Sequence, residues 1–196
     1  MMHIEKFTAS EASDLTGMTQ VAQRDHRRRF PKWMAPQGRK PTYDFFEILQ
    51  MAFVISSGKL GIGPVVAWEQ SEWVAHGALY FALICPGCIQ GDLGSQYTAP
   101  NPTPEDIHDY TARQVFQELN RNWDMPNIGM ERFAFLWGDG SEYFGRSIDD
   151  WRENAGPDDS RLGQPFITVD LPFFGKSIVD KLPRPAYRVG SAFEGE

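Results

Sequence analysis

The sequence predicts an α+β chain, mainly helical, in which an N-terminal group of short helices is followed by a helical segment and a small C-terminal domain with a β-hairpin. Three observations carry this. Helix-start boxes recur at Thr8-Ala9-Ser10-Glu11, Asp44-Phe45-Phe46-Glu47 and Thr103-Pro104-Glu105-Asp106. Apolar residues then change period, with Phe133, Phe135 and Trp137 alternating before the hairpin turn Asp139-Gly140. With 196 residues and 41% hydrophobic content the chain can bury one or two cores, which excludes intrinsic disorder, collagen and a coiled coil.

The first helix is expected from Ala9. Thr8 can accept from the Glu11 amide, the Glu11 carboxylate can reach back, Phe7 and Ala12 occupy staple positions, and Gly17 offers a left-handed stop. Thr19 caps a second helix from Gln20 to about Arg29, closed by Phe30-Pro31. Two short helices across a tight Gly-containing turn make a helix-turn-helix pattern. On the second helix, Val21, Ala22, His26 and Phe30 are expected to pack, and Gln20, Gln23, Arg24 and Arg27 to face outward. The segment from Ala35 to Tyr43, with Arg39 and Lys40 near its tip, reads as a wing-like hairpin. Asp44 then caps an apolar helix running through Ile48, Leu49, Ala52, Phe53 and Ile55 to Gly58.

Beyond Gly61-Ile62-Gly63-Pro64, a hinge, a helix is expected over Val65 to Ala75, interrupted by Gly77. The apolar run from Ala78 to Ile84 is core but fits helix or strand. Residues 85–104 read as loop, and a helix follows Thr103 to about Asn122 with Ala112, Phe116, Leu119 and Trp123 as its buried stripe. Tyr143-Phe144 begin the return strand of the hairpin, Phe166 to Val169 form a third strand, and Leu171 to Leu182 a last short helix. Pro183-Arg184-Pro185 and the tail beyond are expected to fray. No internal repeat is visible, so solenoids and propellers are not expected.

Charge divides the chain. The net charge of -7 conceals nine Lys/Arg against six Asp/Glu in residues 1–60 and ten against twenty in residues 61–196. The basic residues cluster as Arg24, Arg27, Arg28, Arg29 and Lys32, then Arg39-Lys40, a pattern that meets phosphate. Gln and Arg are also the side chains that fork onto adenine and guanine edges in the major groove.

The succession Phe7-Thr8-Ala9-Ser10-Glu11-Ala12, Leu15-Thr16-Gly17-Met18-Thr19, Arg24, the Gly38-Arg39-Lys40 tip with Tyr43, Asp44 and Leu49, and finally Leu60-Gly61-Ile62 resembles the winged helix-turn-helix of MerR-like regulators. The resemblance covers the first third of the chain. It implies that residues 20–29 enter the major groove and that residues 36–42 contact the flanking backbone. Two departures stand out: Gln23 where the family has Leu, and Asp25-His26 where it has an aromatic pair. The family's long dimerising coiled coil has no counterpart after Pro64.

The expectation is therefore a winged helix-turn-helix DNA-binding domain at residues 1–62 and an acidic dimerisation or regulatory domain at residues 63–196. It would act as a sequence-specific transcription regulator on double-stranded DNA. Contacts are expected from Thr19, Gln20, Gln23, Arg24, Arg27, Arg28, Arg39, Lys40 and Tyr43. A homodimer is expected, with RNA polymerase or another protein as a further partner of the C-terminal domain. A second reading, of a different class, makes the basic module a protein-interaction or architectural piece, such as a phage-related one, whose C-terminal domain binds a protein.

Enzymatic chemistry is not expected. Cys85-Pro86-Gly87-Cys88 has the spacing of a thiol-disulfide site and of half a zinc site, yet no redox-fold context surrounds it, so a structural pair reads first and redox sensing by Cys85 and Cys88 second. Asp149-Asp150 and Asp158-Asp159 read as solvated turns, and the four histidines are scattered. No dinucleotide, phosphate-loop or nucleophile-elbow motif occurs, so no catalytic residue, metal or cofactor is expected. No run reaches the roughly 20 apolar residues of a membrane span, and the N-terminus reaches a helix cap without a signal-peptide apolar stretch, which places the expected protein in the cytoplasm, with the nucleoid.

Overall fold

The computed structural model describes residues 2–34, 40–123 and 131–190, the side chains of residues 122 and 123 excepted. It is an α+β structure dominated by helices. The chain opens with β1 (Met2–Ile4) and β2 (Phe7–Thr8), then α1 (Ala9–Thr16) and α2 (Gln20–Arg29). The local signals act as read: Thr8 and Glu11 close a reciprocal capping box, Gly17 ends α1 with φ 77°, and the Thr19 hydroxyl accepts from the Ala22 amide. Strand β3 (Thr42–Tyr43) pairs antiparallel with β2, Phe7 opposite Tyr43, so the chain entering α1 and the chain leaving the 31–41 segment lie side by side.

Two long helices form the centre. Asp44 and Glu47 make the second capping box, opening α3 (Phe45–Lys59), and Pro64 sits in the first turn of α4 (Pro64–Leu83). Both bury residues around most of their circumference, as helices inside a core do. Helix α4 is continuous through Gly77, where a break was expected. A Cβ at Gly77 would stand 2.9 Å from Leu171, and the missing side chain admits that neighbour. The apolar run after it is thus helix as far as Leu83.

After α4 come β4 (Ile89–Gln90), a short 3-10 turn at Gly94–Gln96, and α5 (Pro104–Trp123), which buries Ala112, Val115 and Leu119. Trp123, expected in that stripe, has its side chain outside the described residues. The hairpin forms as expected from β5 (Phe133–Trp137) and β6 (Glu142–Gly145), turning with Gly140 at φ 92°. Helix α6 (Asp150–Asn154) follows, then β7 (Phe166–Asp170), which pairs antiparallel with the other edge of β5 to give the order β6-β5-β7. One face of this sheet, with Ala134, Leu136 and Phe144, packs on Phe53, Val74 and Ala78. The other carries an aromatic cluster of Phe135, Trp137, Phe166 and the α6 residue Trp151.

The chain ends with α7 (Leu171–Val179) and β8 (Tyr187–Val189), and here an expectation is corrected. Residues beyond Pro183 do not fray as far as they are described: β8 is the middle strand of β1-β8-β4, antiparallel to β1 and parallel to β4. Tyr187 is fully buried, its ring 6.2 Å from Phe45 and nearly perpendicular to it. Arg184 fixes the segment, ion-paired with Glu11 and Glu5 and donating to the Lys6 carbonyl at 2.8 Å.

The boundary expected between residues 62 and 63 falls on a turn of the chain, not on a gap in packing. Leu15, Leu49, Trp68, Leu119 and Val189 belong to one buried cluster that spans it. The physical reason is that α3 and α4 pack directly on each other. Among the described residues no helix is long and apolar enough to cross a membrane.

Candidate nucleic-acid interface

Helix α2 owes its orientation to a polar residue. Gln23, expected at base edges, is fully buried, and its amide nitrogen donates to the carbonyls of Ala9 and Met18, both at 2.9 Å. It anchors α2 to α1 and the turn between them, where an apolar residue would hold the same place by packing alone. Val21, expected to pack, is 73% exposed instead. The outward face is therefore turned by about a quarter of the helix circumference from the expected one. It presents Gln20, Val21, Arg24 and Arg28, all exposed, while Ala22, Gln23, His26 and Phe30 face the body.

His26 ties this helix to α4. Its Nδ1 accepts from the Trp68 indole nitrogen at 3.0 Å, which requires that nitrogen to be unprotonated, and burial lowers the pKa of the ring against the raising influence of Asp25. The bond holds α2 to the same core helix on which the β-sheet rests.

Arg27 also departs from its expected role. It is half-buried, its guanidinium donates to the Tyr43 hydroxyl and lies 5.9 Å from that ring, and burial followed by the charge of Arg24 lowers its pKa. Tyr43 itself is buried, so the pair braces α2 against β3 and neither ring nor guanidinium stands free as a contact. Arg28 and Arg29 share the carboxylate of Asp25 at 2.9 and 3.3 Å, and their donation holds Asp25 below its usual pKa, Arg29 first. Such exposed pairs contribute little to stability. Arg24 is exposed and has no hydrogen-bond or ion-pair partner among the described residues. Thr19 is exposed at the cap, and Lys32 and Lys40 are exposed on the segment that follows. Arg39 lies outside the described residues, with most of the wing-like segment.

The other motifs show no reactive chemistry. Cys85 and Cys88 are free thiols at the end of α4; Cys88 is fully buried, Cys85 donates to the Phe81 carbonyl at 3.2 Å, and burial pushes both thiols up, away from the reactive thiolate. Asp150 caps the amides and hydroxyl of Arg146 and Ser147, and Asp159 pairs with Arg161 at 2.6 Å; both carboxyls are held down by these donors. No group of three metal-binding side chains occurs among the described residues.

Sequence reasoning missed the exposure of Val21 and the burial of Gln23. The signal that could have found the latter was the departure at that position from the apolar residue of the resembling family. No known protein family, no curated protein and no solved structure matches the chain.

Proposed function

We propose that this protein is a sequence-specific regulator that binds double-stranded DNA through α2, in a winged helix-turn-helix of MerR-like kind. The observation that carries the reading is the exposed face of α2, where Gln20, Arg28 and Arg24, which has no ion-pair partner among the described residues, stand together on a capped helix. Rigid presentation matters because base edges are read by side chains held in register, while flexible cations bind phosphate without discrimination. Caps at both ends of the α1–α2 pair, the Gln23 anchor and the Arg27–Tyr43 brace supply that rigidity. Arg28 would release Asp25 for phosphate, with Thr19, Lys40 and Arg39 at the flanking backbone. One short helix buries little DNA, so binding as a homodimer to half-sites a turn or more apart is part of the proposal. The acidic remainder would dimerise or meet polymerase, in the cytoplasm with the nucleoid.

The test is duplex binding by wild type and by Arg24→Ala/Arg28→Ala. Loss of about two or more decades in affinity, a shallower salt dependence and an unchanged thermal midpoint are expected, because both side chains lie in solvent. Binding unaltered by the pair of substitutions would contradict the proposal.

A further inference from the structure

Val21 is an apolar side chain where a solvated basic helix would carry none. It is 73% exposed and belongs to none of the buried clusters. At about 100° per residue, Arg24, Arg28 and Val21 fall within roughly 60° of one another at the centre of the outward face, with Gln20 and Asp25 at its margins. The chain leaves other large apolar residues in water, Leu60 and Phe173 among them. Val21 differs from these in its setting, for its neighbours on the outward face of the helix are Gln20, Arg24, Asp25 and Arg28. A protein partner docking there would meet one isopropyl group ringed by polar and charged side chains, too small an apolar contact to hold it. A polyanion with an isolated methyl group matches both the charge and the single apolar point. In the major groove that methyl is the C5 substituent of thymine, the apolar feature of the base edges there.

Resting on the DNA-binding reading above, we infer that Val21 reads a thymine in each half-site, its isopropyl group packed on the C5-methyl. Gln20 and Arg24 read the bases beside it, and Arg28 takes a phosphate. Val21 is then a specificity residue, and its exposure in the free protein is the open half of a contact.

The experiment uses a duplex retained by the full chain. Each thymine is replaced in turn by deoxyuridine, which keeps base pairing and removes only the methyl group, and binding is measured for wild type and Val21→Ala. One thymine per half-site should, on replacement, weaken wild-type binding about three- to fivefold, the effect of losing one buried methyl. Val21→Ala should bind the unmodified duplex more weakly by a similar factor, lose nothing further on that replacement, and melt at the wild-type temperature. Indifference of the wild type to every replacement, or an equal loss in both proteins, would overturn the thymine contact while leaving DNA binding standing. Failure to retain any duplex would overturn both, and would be seen before the first deoxyuridine was introduced.

Discussion

Glu142 shows how strongly one side chain can be tuned by position. It lies half-buried on β6, and loss of solvent alone pushes its carboxyl up to about 7. A carboxyl whose folded pKa exceeds the unfolded value near 4.5 favours folding in its protonated form. That contribution is complete below pH 4.5 and is lost as pH rises through about 7. Glu142→Gln should therefore raise stability at pH 8, by about 1–2 kcal/mol once the solvent-exposed part of the side chain is allowed for, and change little at pH 4. Denaturant melts at the two pH values check this, and equal effects at both would show that the carboxyl ionises normally. Such environments are invisible in sequence. For the same reason Gln23 and Val21 exchanged their expected places: side-chain type suggested the surface for glutamine and the core for valine. The carbonyls of Ala9 and Met18, brought together only by the turn of the chain, decided otherwise.

Elements with local punctuation were the legible ones. The boxes at Thr8 and Asp44, the Thr19 cap, the Gly17 stop and the Asp139-Gly140 turn each act within a few residues, and each acts as expected. Gly77 misled because its reason is remote: it marks a close crossing with α7 and not a break in α4. The same crossing predicts an asymmetry among glycines. A Cβ at Gly175 would stand 2.7 Å from the Ala78 carbonyl oxygen, a backbone atom that cannot step aside, whereas one at Gly58 would meet nothing within 4 Å. Gly175→Ala should destabilise by about 1–3 kcal/mol through overpacking, and Gly58→Ala should stabilise by about 0.5–1 kcal/mol through helix propensity. Thermal melts that rank the two variants in the opposite order would show that α4 and α7 do not cross this closely.

Across the whole molecule, what escaped the sequence was the meeting of β1 with β8. Strands of three residues such as β1 and β8 carry too short a pattern to register, and their pairing joins Ile4 to Tyr187 over nearly the full chain. Arg184 completes the closure by stacking 4.9 Å over Phe7 and pairing with Glu11, whose carboxyl it holds down to about 2. A depressed carboxyl stabilises the fold above its unfolded pKa near 4.5 and loses that contribution as pH falls toward 2. Arg184→Ala should cost about 1 kcal/mol at pH 7, the pair being partly screened by solvent, and should flatten the loss of stability between pH 4.5 and 2. Unfolding monitored over that range checks it, and an unaltered acid limb would mean that another donor holds Glu11.

Because one buried cluster runs from α1 to β8, α2 rests on elements from both parts of the chain, and the whole 196-residue chain is the object to test. It should be mixed at physiological salt with a pool of random duplexes and the retained fraction sequenced. Enrichment of a palindrome or repeat with half-sites spaced by about one or more helical turns is the predicted result. Retention without sequence preference, or no retention at all, would contradict a regulator that reads DNA through α2.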